Sequence, residues 1–140
     1  MTAMTYGRTP KANRYLSNSL ETASPAALVV MLYDRLVLDL KRAEEALGAG
    51  DRGTAHTNLV HAQDIVRELL ASLDVDKWEG GPGLSSLYTW LLQELVTANV
   101  TADAARVLFC RTETVEPLAD AWRQAALEVL NTNPTPTTGR

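Results

Sequence analysis

The feature that most constrains this chain is a proline-free stretch from residue 26 to residue 81 in which apolar residues recur at helical spacing. In its second half, six apolar residues follow one another at alternating intervals of four and three: Ala55, Leu59, Ala62, Val66, Leu69, Leu73. This spacing puts them on one side of an α-helix, as in helices that pack side by side. The pattern predicts an all-α protein.

Capping residues give boundaries to the first two long helices. Ser24 and Pro25 are typical of the N-cap and of the first helical position, because proline lacks an N–H that would in any case be unpaired there. This helix is expected to end at Gly48. Asp51 is then expected to cap a second long helix that ends near Leu73.

The second half of the chain predicts two more helices. The glycine-rich run 80–83 is expected to be a turn, a helix follows over 84–99, and Thr101 is expected to cap the last one. In this last helix the predicted apolar stripe is Ala105, Leu108, Thr112, Val115, Ala119, Trp122, Ala126 and Val129. Pro117 interrupts the stripe and should either kink the helix or mark a restart.

These elements predict an antiparallel four-helix bundle with a short additional N-terminal helix over 12–20, because short connections favour antiparallel neighbours. Residues 12–130 are expected to form this single helical-bundle domain. Residues 1–11 are expected to be a mobile leader, and the Thr-, Pro- and Asn-rich residues 131–140 a disordered tail.

Charge and cysteine content exclude several classes of protein. The chain of 140 residues has a net charge of −4 and an isoelectric point near 5.1, so nucleic acid is not an expected partner. No apolar run approaches the length of about 18 residues that inserts into a membrane. The single Cys110 forms no internal disulfide, and we expect a cytoplasmic protein.

Residues that could carry catalysis are scattered. His56 and His61 lie five positions apart, about 140° around a helix, so they cannot share a metal ion. Cys110 is interpreted as a packed thiol, and Asp34 as a partner in a surface salt bridge. The remaining carboxylates of the first two long helices are expected on solvated faces: Asp39, Glu44, Glu45, Asp64 and Glu68. The sequence therefore predicts no enzyme, no cofactor and no metal site.

Apolar residues exceed what one core stripe per helix requires. Ile65 and Leu70 flank the stripe of one helix, and Trp90 and Leu92 flank that of the next. They either widen the core or line an exposed groove that binds an amphipathic partner segment. The spacing alone leaves both interpretations open.

Several motifs resemble a known family in order and spacing. The stretch from Thr22 to Asp34 reads T-A-S-P-x-x-L-x-x-M-L-Y-D, and residues 58–69 read N-L-x-x-A-Q-D-I-V-x-E-L, followed by S-L-D at 72–74. Gly80-Gly81, Leu87-Tyr88 and Ala98-Asn99 continue the series. This set resembles the flagellar secretion chaperone FliS family, although Arg35, His61, Trp90-Leu91 and Pro117 depart from its usual pattern.

The resemblance implies a cytosolic chaperone that binds the disordered C-terminal segment of flagellin, prevents premature polymerisation and delivers it to the flagellar type III export gate. The candidate flagellin groove comprises Tyr33, Asn58, Ala62, Gln63, Ile65, Val66, Leu69, Leu73, Tyr88, Leu91 and Asn99. Some of these residues are expected to belong to the core, because they also lie on the helix stripe.

Two further expectations concern regulation and assembly. The short N-terminal element with Tyr15 and Leu16 is a candidate cap that lies over the empty groove and is displaced by the client. The protein is expected to be a monomer or a homodimer. The alternative function is a non-catalytic adaptor or structural bundle that pairs with another helical partner through the same apolar face.

Overall fold

The computed structural model describes residues 25–132 of the chain. Its elements are α1 (Pro25–Gly48), α2 (Arg52–Ser72), a 3₁₀ turn (Val75–Lys77), α3 (Gly81–Thr101), α4 (Ala104–Cys110), a π turn (Arg111–Val115) and α5 (Glu116–Thr132). The prediction of an all-α fold is confirmed. The predicted leader, the helix over 12–20 and the Ser24 cap lie outside the described residues. Of the tail predicted over 131–140, residues 131 and 132 end α5 and residues 133–140 lie outside the described range.

The predicted ends of the first two described helices are confirmed. α1 runs from Pro25 to Gly48, and Gly50 adopts φ = 76° in the connection that follows. Asp51 caps α2, since its carboxylate accepts a hydrogen bond from the backbone N–H of Thr54 at 3.1 Å. Interaction with the Thr54 side chain, and then the hydrogen bond from its backbone N–H, lowers the pKa of Asp51 below its usual value.

The helices pack in a closed order around one core. α1 contacts α2 on one side and α4, the π turn and α5 on the other, while α3 contacts α2 and α4. Short connections join α1 to α2, α2 to α3 and α3 to α4, so these neighbours run antiparallel. α4, the π turn and α5 follow one another without a reversal and form the last helical segment of the bundle. The α2 stripe is buried at the five positions Ala55, Leu59, Ala62, Val66 and Leu69. None of the described helices is long and apolar enough to cross a membrane.

The glycine-rich run belongs partly to a helix. α3 begins at Gly81, with Pro82 in its first turn, three residues earlier than predicted. A Cβ on Gly81 would lie 2.3 Å from the carbonyl oxygen of Val75, so the helix start can approach the 3₁₀ turn only without a side chain there. Gly81 therefore allows α3 to begin in close contact with the 3₁₀ turn that precedes it.

The predicted cap of the last helix is wrong. Thr101 is the final residue of α3, and Ala102 terminates that helix in the left-handed region at φ = 54°. Asp103 caps α4, with its carboxylate accepting from the backbone N–H of Arg106 at 3.0 Å. Both residues can accept such a bond, and the end of α3 decides which one is free to do so.

The predicted apolar stripe is also wrong in α4, because a π turn changes the helical register. Val107 and Cys110 are fully buried, whereas Leu108 is 45% exposed. The π turn sets Cys110 and Val115 five positions apart, and both side chains are fully buried. If α5 stayed in place and the π turn were replaced by regular α-helix, the residue on the same face as Val115 would be the one four positions earlier, Arg111. Arg111 would then take the core position that Cys110 occupies. The extra residue keeps this guanidinium out of the core.

Pro117 is the second residue of α5, and only Glu116 separates it from the end of the π turn. The backbone N–H of Glu116 donates to the carbonyl of Arg111, five residues earlier, so the wider turn ends immediately before the proline. This arrangement corresponds to the predicted restart, since the helix resumes as α5 at Glu116. Proline suits the first turn of a resuming helix because its ring meets fewer preceding carbonyls there.

Ion pairs attach α1 to its neighbours. Arg111 binds Glu44 through two nitrogens, one at 3.0 Å, and binds Glu116 at 2.5 Å. The hydrogen bond to Glu44 is the largest cause that raises the pKa of Arg111. Asp34 pairs with Arg123 of α5, which confirms the predicted salt bridge. Glu44 is therefore held between helices rather than on a solvated face.

Asp39 was expected on a solvated face, and that expectation is wrong. Its side chain has no exposed surface, and it accepts a hydrogen bond from Arg35 Nε at 3.1 Å and contacts His61 Nδ1 of α2. A buried carboxylate needs such partners, because an unpaired one would lose its hydration without compensation. His61 thus faces α1, while His56 faces α3, as their spacing requires.

Candidate partner-binding surface

The structure places most of the predicted groove residues in the core. Six of them are at most 3% exposed: Tyr33, Ala62, Val66, Leu69, Tyr88 and Leu91. Gln63 and Ile65 are also buried, at 7% and 6% exposure. Asn58, Leu73 and Asn99 are partly exposed. A side chain without accessible surface cannot contact a partner in this conformation, so only the last three are placed to do so. Tyr15 and Leu16 lie outside the described residues.

Two of the buried groove residues bind each other. The hydroxyls of Tyr33 in α1 and Tyr88 in α3 lie 2.7 Å apart, across the middle of the bundle. Burial raises the pKa of both side chains, and for Tyr33 the hydrogen bond to Tyr88 adds to this effect. The Trp122 side chain of α5 acts in the opposite direction on the pKa of Tyr33. The two tyrosines therefore link α1 to α3 across the core.

The exposed amides of the predicted groove already have partners. Asn58 donates from Nδ2 to the Thr54 carbonyl of its own helix at 2.9 Å. Asn99 lies with its Nδ2 3.0 Å from His56 Nδ1, which joins α3 to α2 at the surface. A partner segment would meet the Asn99–His56 pair rather than a free amide.

α3 carries a single charged residue among its 21 positions, Glu94. Glu94 faces α4, where it accepts from Arg106 Nη1 at 2.7 Å and raises the pKa of that arginine. The outward side of α3 is thus uncharged. A helix in contact with water normally has charged residues on its outer face, so this composition is typical of a helix that is covered by a partner.

Exposed valines lie on this uncharged side and on the facing part of α2. Val96 and Val100, four residues apart on one face of α3, are 39% and 72% exposed. The contact between His56 and Asn99 sets the antiparallel register, which brings Val60 of α2, 36% exposed, opposite Val96. We refer to Val60, Val96 and Val100 with the His56–Asn99 pair as the α2–α3 surface.

The valines of the α2–α3 surface were missed by the sequence analysis. They lie beside the regular stripes, which were the basis of the prediction. The signal that could have found them is the lack of charge in residues 81–101, since a stripe identifies the core face and the distribution of charge identifies the solvated one.

A shallow cleft of about 380 Å³ lies between α1 and α5. Its floor is apolar and its rim carries charges of both signs; the lining residues are Asp34, Val37, Leu38, Lys41, Glu116, Ala119, Asp120 and Arg123. Three of these are acidic and two basic, and Arg123 pairs with Asp34 and Asp120. The rim is thus largely self-neutralised.

Groups for metal binding are not brought together in the described part of the chain. No three histidine, cysteine or acidic residues among residues 25–132 are placed to hold a metal ion. Cys110 is fully buried in the core, and burial is the main cause that raises its pKa to about 11. It is a packed thiol, as interpreted from the sequence.

Known proteins resemble the chain over most of its length. The pattern of the family described as flagellar protein FliS matches residues 8–129. The chain belongs to the FliS family. It is 31% identical over 111 residues to the flagellar secretion chaperone FliS of Bacillus subtilis, an alignment that covers 79% of this chain and 82% of that protein. It is 34% identical over 115 residues to the protein of the same name from Salmonella typhimurium, covering 78% and 82% of the two chains.

Proposed function

We propose that this protein is a flagellar export chaperone that binds the disordered C-terminal segment of flagellin on the α2–α3 surface and delivers it to the export gate. Membership of the FliS family, whose relatives carry the name flagellar secretion chaperone, supports the chaperone role. The uncharged outer side of α3 with its exposed valines is the observation that carries the proposed binding site.

The shape of this surface suits an amphipathic client. It lies where two long helices meet, so a client helix can bury its own apolar face against the exposed valines. A client that is disordered when free loses conformational entropy on binding, which keeps the affinity modest for a given buried area. Modest affinity allows release at the export gate, and covering the apolar face of the client prevents premature polymerisation.

The proposed contacts comprise the exposed valines together with Asn99, the accessible residue of the predicted groove that pairs with His56 on this surface. Leu73 is partly exposed at the far end of α2, and Asn58 lies on the side of α2 that faces α1, three residues before His61. The buried members of the predicted groove act indirectly, because they hold α2 and α3 in register beneath the surface.

Calorimetric titration with the C-terminal segment of flagellin from the same bacterium tests the proposal. We expect one-to-one binding with a negative heat-capacity change, because apolar area is buried. Val96 and Val100 are already partly covered, so each should contribute about 1 kcal/mol. Val96→Glu/Val100→Glu should therefore weaken binding by about tenfold to a hundredfold.

Leu108→Glu/Phe109→Glu is the matched control, since these two residues are 45% and 53% exposed on α4, away from α2. This control should bind flagellin as the unmodified protein does. Equal weakening by both pairs would contradict the proposed surface. A folded protein that binds no flagellin segment would instead favour the adaptor bundle, whose partner is another helical protein.

A further inference from the structure

The side of α4 that faces away from the core is apolar. Val107 and Cys110 fill the core, and the opposite side carries four residues at i, i+3, i+4 and i+7 spacing, which we call the α4 surface: Ala105, Leu108, Phe109 and Thr112. Leu108 and Phe109 are 45% and 53% exposed. The Thr112 hydroxyl donates to the Leu108 carbonyl at 2.9 Å, so it is already bonded within the helix. The α4 surface therefore presents a phenylalanine and a leucine with no free polar side chain between them.

Ion pairs hold α4 in place on both flanks of this surface. On one flank Arg106 donates to Glu94 of α3 at 2.7 Å. On the other flank Arg111, in the π turn, binds Glu44 of α1 through two nitrogens. Because α4 is fixed to α3 and to α1, a partner that contacts Phe109 loses little free energy in ordering the helix beneath it.

The rim formed by these ion pairs is negative. It comprises the charged residues of α4 and of the π turn together with their ion-pair partners: Glu44, Glu94, Asp103, Arg106, Arg111, Glu113 and Glu116. Five carboxylates and two guanidinium groups give a net charge of −3. If Lys41, which lines the α1–α5 cleft with Glu116, is included, the net charge is still −2. Glu113 is exposed, and no ion pair in the described part of the chain involves it.

A second copy of this chain is a poor match for the α4 surface. Two copies would bring two negative rims together, and like charges repel. The apolar area is also small, since Phe109 exposes about half of its roughly 200 Å² and Leu108 adds a comparable amount. A stable interface buries about 800 Å² on each partner. Charge and area both favour a short segment of opposite charge.

We propose that the α4 surface binds a basic amphipathic helix of a second partner protein. The apolar face of this helix would cover Leu108 and Phe109, because residues at i, i+3 and i+4 spacing on one helix pack against the same pattern on another. Its flanking Lys or Arg side chains would lie over the carboxylates of the rim, with Glu113 as the unpaired one. Phe109 is the anchor of this contact, as aromatic side chains at the centre of an interface commonly are.

This surface is separate from the proposed flagellin site and does not depend on it. α4 lies against α1 and α3, whereas the flagellin site spans α2 and α3. Val96 and Glu94 are two positions apart on α3, about 200° around the helix, so the valines and the α4 rim lie on opposite sides of α3. The two partners can therefore be bound at the same time.

Nuclear magnetic resonance of the full-length protein with model peptides tests the inference. The probe is an 18-residue peptide of leucine and lysine whose leucines form one helical face. We expect it to shift the amide signals of residues 104–113, with a Kd read from those signals. A peptide with glutamate in place of lysine, and one with the same leucines and lysines in an order without an apolar face, should each bind at least about tenfold more weakly. Shifts confined to α2 and α3, or equal binding of the three peptides, would overturn the inference.

Variants of the surface test the anchor. Leu108→Ser/Phe109→Ser should raise the Kd of the leucine–lysine peptide at least about tenfold, because the exposed apolar area is removed. Leu127→Ser/Val129→Ser is the matched control, since these residues are 54% and 42% exposed on α5, and it should leave this Kd unchanged. Equal weakening by both variants would contradict a site on α4.

Charge reversal tests the rim. Glu113→Lys should weaken binding of the leucine–lysine peptide about threefold to tenfold at low salt, and the difference should vanish at about 0.5 M salt. Glu68→Lys makes the same change of net charge on α2, which lies away from α4, and should have no effect on the Kd read from residues 104–113. If both variants weaken binding alike, overall charge is the cause and the inference fails.

Two further outcomes would give the surface another occupant. A dimer in sedimentation equilibrium that Leu108→Ser/Phe109→Ser abolishes would show that a second copy binds there. A flagellin segment that shifts the amides of residues 104–113 and displaces the peptide would make α4 part of the flagellin site. Either result would overturn this inference, whereas a flagellin segment that does not bind at all would overturn only the proposed function.

Discussion

Replacing Tyr33 by phenylalanine tests the buried hydroxyl pair at the centre of the bundle. Tyr33 has no exposed surface and Tyr88 is 2% exposed, so Tyr33→Phe leaves the Tyr88 hydroxyl buried without this partner 2.7 Å away. We expect a loss of about 1–3 kcal/mol in the free energy of unfolding. With a urea m-value of about 2 kcal/mol/M, the midpoint should fall by about 0.5–1.5 M.

The double variant separates the hydrogen bond from other effects of each substitution. Tyr33→Phe/Tyr88→Phe removes both polar atoms, so it should be less destabilised than the sum of the single variants by about 1 kcal/mol or more. Urea denaturation followed by far-ultraviolet circular dichroism measures all four proteins. Additive single variants would refute the buried pair.

The same variants test whether Tyr33 and Tyr88 only stabilise the core or also contact the client. Because neither side chain is accessible, flagellin affinity measured by calorimetry should be unchanged in Tyr33→Phe under conditions where the variant is folded. A tenfold loss of affinity with unchanged stability would mean that Tyr33 contacts the client, and the placement in the core would then be wrong.

Three further predictions follow from buried ionisable groups. Burial raises the pKa of Tyr33 and Tyr88, so the unfolded chain loses these protons first as the pH rises. The contribution of the two tyrosines to stability should be constant below about pH 10 and fall above it, and Tyr33→Phe should lessen the fall in the urea midpoint between about pH 9 and 11. His61→Ala leaves the buried Asp39 carboxylate short of a partner and should lower the free energy of unfolding by about 3 kcal/mol. Asp39→Asn removes the buried charge and should lower the free energy of unfolding less. The opposite order of the two variants in urea denaturation would contradict this. Cys110 is buried with its pKa raised to about 11, so its reaction with a disulfide reagent at pH 8 should be at least about a hundredfold slower than in urea, and a fast reaction of the native protein would contradict the packed thiol.

Local chemistry predicted the elements of the fold where a residue acts within its own helix. Pro25 at the start of α1 and Asp51 at the cap of α2 work through backbone groups a few positions away, so their roles do not depend on the rest of the molecule. The stripe of α2 is equally local, because its period alone defines one face. These features were predicted correctly.

The predictions failed where two elements compete for one residue. Thr101 and Asp103 can both cap a helix, and α3 continues two residues beyond its predicted end, so that Thr101 belongs to it. The α4 stripe was misplaced because the π turn inserts a residue, and nothing in the period of α4 itself reveals this. The position of Arg111, which must stay outside the core to bind Glu44, decides the register.

The candidate site shows the same division. The sequence identified α2 and α3 as helices with more apolar residues than a core requires. It could not divide Tyr33 and Leu91, which are buried, from Asn99, which is not, because helical periodicity gives the direction of a side chain but not the neighbour that covers it.

The amino-acid sequence by itself determined the helices, their main boundaries and the family, because these depend on caps, period and ordered motifs within a few residues of one another. The tertiary structure alone decided that Asp39 is buried, that Cys110 rather than Leu108 fills the core, and that the valines around Val96 remain accessible. Each of these outcomes depends on which distant helix lies against the residue, and that is set by the packing of the whole bundle.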